Sequence, residues 1–144
     1  MRREPPPTPV VRYRDPEPIG LALVVGELLE ANLRADPDRA RLLRPAAVEI
    51  VARDLGIAVR LDLDRGGVLV ASGSEDGRAD LVVVADAVRL IELVRAPLRL
   101  GVPDPFRPDG RRALAALLAG DIRLRGALRR PLALVRLARL LSVS

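Results

Sequence analysis

The stretch AVEIVARDLGIAVRLDLDRGGVLVA, residues 47–71, decides the fold class of this 144-residue chain. Val48, Ile50 and Ala52 alternate with Glu49, Val51 and Arg53. After Gly56, Ile57, Val59, Leu61 and Leu63 alternate with Ala58, Arg60, Asp62 and Asp64. A period of two marks extended chain with one face in a core and the other in water. Asp64-Arg65-Gly66-Gly67 supplies the glycine of a tight turn, and Val68 to Ala71 returns as the partner strand. The same alternation puts Asp62 and Asp64 on the water face beside that turn, which argues against a metal or acid–base pair.

Outward from this meander the period lengthens. From Ile19 to Arg34 apolar residues are dense while Glu27, Glu30 and Arg34 share one stripe, the pattern of a core helix with a narrow wet face. Asp36-Pro37 opens a short helix through about Leu43. On the other side, SGSEDGRAD (residues 72–80) reads as a polar loop lacking the spacing and lysine of a phosphate cradle. Leu81 to Ala85 is apolar on both faces, so a strand covered on each side is expected. Asp86 caps a helix to about Arg95, and Pro97, Pro103, Pro105 and Pro108 impose an irregular passage. A helix over Arg111 to Ala119 stops at Gly120, and Ile122 and Leu124 alternate with Arg123 and Arg125 in a short strand ending at Gly126. The chain closes in an apolar, arginine-rich helix from about Ala127 to Leu141. Residues 1–18 contain six prolines and read as a flexible Pro/Arg-rich arm, leaving a single domain over 19–144. These elements predict an α+β layer fold with a five-stranded, mainly antiparallel sheet covered by helices.

Composition narrows the function. With 49% hydrophobic residues the chain can build a core unaided, and without cysteine it has no disulfide, thiolate metal site or thiol nucleophile. Histidine is absent too, which removes the usual proton shuttle and metal ligand and leaves the serines without a histidine or lysine base. No catalysis, cofactor or metal is expected. Tyr13 and Phe106 are the only aromatics, so the interior is aliphatic. All 24 basic residues are arginine. Eight of them, against Asp121 alone, lie in residues 111–144 and give that quarter a net +7. No charge-free stretch approaches the roughly 20 residues that span a bilayer, and prolines replace the apolar helix of a secretory leader, so a cytoplasmic location is expected.

ADLVVVADAVRLIELV (79–94) and ALLAGDIRLRGALRRPLALVRLARLL (116–141) resemble the sterol carrier protein type-two family. Members open an apolar strand with an acidic residue and place a glycine-flanked strand before a C-terminal helix. Asp80, Gly120, Ile122, Leu124 and Gly126 carry the match. Two features depart from the family: RAPLRLGVPDPFRPDGRR (95–112) is longer than the usual connection, and the customary lysines and aromatics are missing. The resemblance implies an apolar tunnel between helices and sheet that holds a sterol, a fatty acyl chain or another lipid, in a carrier or an accessory domain.

The aliphatic residues Val88, Leu90, Ile91, Val94, Leu114, Leu117 and Leu118 either wall such a cavity or form plain core. Leu81, Val83, Leu124, Leu128, Leu134, Val135 and Leu141 complete the expected lining. On the last helix an arginine-free arc through Leu128, Pro131, Leu134, Val135, Ala138 and Leu141 is expected to face the core. Arg129 and Arg136 share the opposite arc with Leu132, Leu137 and Leu140, which suits either an anionic membrane surface or a second packing partner, including a homodimer mate or an enzyme. Nucleic acid is not expected, because no stacking aromatics accompany the arginines.

Overall fold

The structure, a computed structural model, describes residues 9–18, 20–73, 79–95, 98–99, 102–103, 108, 111, 115, 119–120, 122–126 and 129–142. Its strands are β1 (Val10–Tyr13), β2 (Ala46–Ala52), β3 (Ile57–Asp64), β4 (Gly67–Ser72), β5 (Leu81–Ala85), β6 (Leu98–Arg99), β7 (Val102–Pro103) and β8 (Ile122–Arg125). Among the described residues the helices with continuous bounds are α1 (Gly20–Ala35), α2 (Ala87–Arg95) and α3 (Pro131–Leu141), with 3-10 segments at Pro37–Leu42 and Arg53–Leu55.

The expected meander forms as read: β2 pairs antiparallel with β3, and β3 with β4. The Asp64 carboxylate accepts the N–H groups of Gly66 (2.7 Å) and Gly67 (3.0 Å), which makes it the turn's own hydrogen-bonding residue. β5 lies parallel to β2 and carries β8 antiparallel at the edge. Leu81, Val83 and Ala85 of β5 are buried, while Val82 and Val84 on its other face are half-buried.

The architecture is α+β, but the sheet has six strands and is mixed, in the order β1-β4-β3-β2-β5-β8, where a five-stranded and mainly antiparallel one was expected. The extra strand comes from the supposed arm. Val10–Tyr13 pairs parallel with β4, Val11 is buried, and the Arg14 N–H donates to the Val70 carbonyl at 2.8 Å. Four residues between prolines are too few to show a period, and an edge strand needs hydrogen bonds on one side only. Gly67 permits this pairing: the Val10 carbonyl sits where a side chain at that position would begin. A two-stranded ribbon, β6 with β7, lies in the proline-rich passage.

Buried Ala22, Val25, Gly26, Leu29 and Asn32 line one face of α1 at helical spacing. That face packs on β1, β3 and β4, against the aliphatic side of the sheet. Asp36 caps the 3-10 turn as expected, accepting the Asp38 N–H at 3.2 Å. Of the helix expected over Arg111–Ala119, only Arg111, Ala115 and Ala119 are described. The Ala119 N–H donates to Ala115 at 2.9 Å, and Gly120 follows with φ 79°, the left-handed stop glycine supplies.

Candidate functional site

α3 is fastened at its C-terminal end. The buried Asn32 amide donates to the Leu140 carbonyl at 2.8 Å, and Arg39 donates to the carbonyls of Arg139 (3.0 Å) and Ser142 (2.7 Å). Carbonyls at a helix end lack intrahelical partners and carry partial negative charge, so an amide and a guanidinium there both satisfy and stabilise them. At the other end Arg130, the N-cap, makes no side-chain cap and reaches Asp80 at 3.6 Å.

Asp80 also locks the sheet. Its carboxylate accepts the Ala47 N–H at 2.8 Å, and its own N–H donates to the Ala47 carbonyl at 2.7 Å. The Asp80 carbonyl occupies the space where a Cβ on Gly126 would stand, and Gly126 has φ 82°. Both ends of the glycine-flanked segment are therefore glycine for backbone reasons.

Between α3, the chain from Leu42 to Ala46 and Leu63 of β3 lies an open recess of about 280 Å³. Its floor is aliphatic, with Leu63, Leu137 and Leu140, and its rim carries Arg44, Arg129, Arg130 and Arg136. Arg129 and Arg130 also border a second recess of about 540 Å³, lined by Glu49, Asp80, Val82 and Arg125. There Glu49 pairs with Arg60 at 3.4 Å, and Arg60 with Asp62 at 3.3 Å. Glu49 and Arg60 are buried, so Asp62 belongs to an ion cluster and is not simply solvated.

All five residues expected at a membrane surface line the first recess, but not as expected. Leu137 and Leu140 are buried (4% and 1% exposed) and face the core, whereas Leu132 is 65% exposed. Leu134 and Leu141, on the expected inner arc, are partly buried against the core, and Val135 and Ala138 are half-buried. The arginine-free arc misled because arginine can lay its stem along apolar surface with its head outside, so an arginine on an arc does not make that arc wet; Arg136 is half-buried.

The expected cavity residues lie elsewhere. Leu81 and Val83 are closed core, Leu90 and Leu124 pack partly against it, and Val88 (64%) and Ile91 (54%) are exposed. None of these lines either recess. The side chains of Val94, Leu114, Leu117, Leu118 and Leu128 are outside the described residues. Leu42, Arg44, Pro45, Ala46 and Leu63, which meet α3 only through tertiary packing, are recess residues that the sequence did not announce. Among the described residues no group of three metal-ligating side chains occurs, and no helix is long and apolar enough to cross a membrane.

No protein-family model and no curated protein matches the sequence significantly. Solved structures do match. A UbiJ-SCP2 ubiquinone synthesis protein superposes with a TM-score of 0.58 at 18% identity, over 83% of this chain and 90% of that one. Sterol carrier protein 2 gives 0.52 at 18% identity, over 80% and 88%. The inverting sec-alkylsulfatase Pisa1 from Pseudomonas sp. gives 0.54 at 18% identity; 85% of this chain covers only 16% of that enzyme. At such identities the likeness speaks for the fold: this chain has the sterol carrier protein type-two fold.

Proposed function

We propose that this chain is a non-catalytic domain that binds a lipid or other apolar ligand. The observation that carries the reading is the first recess, where Leu63, Leu137 and Leu140 form an aliphatic floor beneath α3. Burying an apolar chain there gains roughly 25 cal/mol per Å² removed from water. At about 280 Å³ the recess is near the lower end of the roughly 300–1,000 Å³ usual for small-molecule sites, so it suits a chain segment better than a whole sterol. Mass spectrometry of lipids extracted from the purified protein, with displacement of a fluorescent fatty acyl probe, tests the proposal. Absence of any apolar ligand by both methods at micromolar protein overturns it.

A second reading, an accessory domain that docks on an enzyme, draws on the named role of the UbiJ-SCP2 relative in ubiquinone synthesis and on exposed Leu55, Val88 and Ile91. α2 contacts the 3-10 turn that carries Leu55, and the Ala87 N–H donates to Asp54 at 2.9 Å. Light scattering discriminates: a clean monomer that binds lipid counts against it. Transient contact with an anionic membrane would use exposed Leu132 and Arg129, since Leu137 and Leu140 face inward.

A further inference from the structure

We infer that β1 is an exchangeable strand: the groove between α1 and β4 that holds Val10–Tyr13 takes the same strand from a second copy of this chain, so that two copies pair by trading β1. The groove is shaped for this strand. Gly67 on β4 leaves room for the Val10 carbonyl, and Gly26 on α1 leaves room for the Tyr13 ring. A side chain at either glycine would close the seat, and the two glycines lie far from β1 and from each other in sequence. Polar contacts complete the fit: the Val10 N–H donates to the Gly66 carbonyl at 3.1 Å, and the Asp15 carboxylate accepts the Ser72 N–H at 3.2 Å. The sequence that this groove demonstrably fits is the chain's own, which is why the partner is a second copy.

β1 is also the strand that can leave. It lies at the end of the sheet order and pairs with β4 alone. Val11 is its one buried side chain, while Val10 and Arg12 are exposed and Tyr13 is half-buried. The other five strands keep their own pairing without it, so unseating β1 costs far less than global unfolding.

The linker supplies the bias toward exchange. Asp15-Pro16-Glu17-Pro18 connects β1 to α1, and each residue ahead of a proline is held to extended backbone. Yet residues 14–17 bend to bring the chain round, and α1 is entered through Gly20 at φ 61°. A linker that prefers to run straight is relieved when its strand crosses to another copy, where the same contacts form again.

Because the chain has no cysteine, a pair introduced as Arg12→Cys with Leu69→Cys, in register across β1 and β4 and both exposed, reports whose strand fills the groove. The full-length protein is sized with light scattering over a concentration series, and the monomer and dimer fractions are then oxidised and separated under denaturing, non-reducing conditions. Tethering keeps β1 near its own groove at an effective concentration on the order of 1 mM, so a monomer is expected at about 10 μM and a dimer toward about 1 mM. The dimer's disulfides are expected to join two chains and the monomer's to close within one. Absence of a dimer up to about 1 mM overturns the inference, as does a dimer whose disulfides all lie within single chains. Should the cysteine variant fail to fold, the linker decides: Pro16→Ala with Pro18→Ala is expected to weaken the dimer by roughly tenfold, since each proline restricts the open chain. An unchanged dimer in that variant overturns the exchange. So does a dimer abolished by Ile91→Ser, which lies on the exposed face of α2 and would mark an ordinary surface contact.

Discussion

The two helices on the aliphatic side of the sheet solve the same packing problem differently. α1 seals its face: its buried positions follow helical spacing, Glu27 and Arg34 are exposed, and Glu30 is half-buried. α3 is buried at Leu137 and Leu140 near its C-terminal end, whereas Pro131 and Leu132 at its start are exposed beside the recess. A helix whose pattern is clean contributes to stability, and a helix whose pattern is mixed leaves space at its edge.

Leu29, fully buried on α1, is the most direct way to break this contrast. Leu29→Ala is expected to cost about 2–5 kcal/mol in urea unfolding, through lost transfer energy and a residual cavity. A loss under 1 kcal/mol would show that α1 is not sealed.

Asn32 sharpens the comparison because it belongs to both helices. Asn32→Ala leaves the Leu140 carbonyl without its amide donor and is expected to cost about 1–3 kcal/mol. Hydrogen exchange should then speed up in the last turn of α3 more than in α1. Uniform acceleration would mean that the two helices open together.

Tyr13 of β1 probes the sheet-facing side of α1, where its ring abuts Gly26. Burial first, then the charges of Glu30 and Glu27, hold its phenol above the ordinary value of 10.0. The folded state therefore keeps its proton more tightly than the unfolded chain. The resulting stability is complete below pH 10.0 and is lost as pH rises through the folded value. Tyr13→Phe should flatten that alkaline loss in denaturant titrations, and an unchanged pH profile would refute the assignment.

The smallest effect is expected at Leu132, exposed on α3: Leu132→Ala should change stability by no more than about 0.5 kcal/mol. If it nonetheless weakens displacement of the acyl probe, the N-terminal half of α3 is confirmed as the ligand's wall. Unaltered displacement would confine the ligand to the inner floor.

Local patterns were legible from the chain alone. The alternation from Val48 to Leu63 specified the hairpins, because a one-residue slip would turn every apolar side chain into water. The spacing of α1 specified its buried face, and Gly120 and Gly126 marked backbone positions where a side chain would be strained or blocked. The absence of cysteine and histidine narrowed the chemistry before any coordinates.

Tertiary structure alone decided the rest. β1 could not be read from four residues among prolines, since its register depends on Val10 meeting Gly67, far away in sequence. The inward face of α3 depended on where Asn32 and Arg39 grip its last turn, a contact across about a hundred residues that no period encodes. The candidate site shares that origin: Arg44, Leu63 and Arg136 come from a connection, a strand and a helix, and only packing brings them to one recess. Periodicity reports which side of an element is apolar, but a binding site is made where elements fail to close, and that is a property of their arrangement in space.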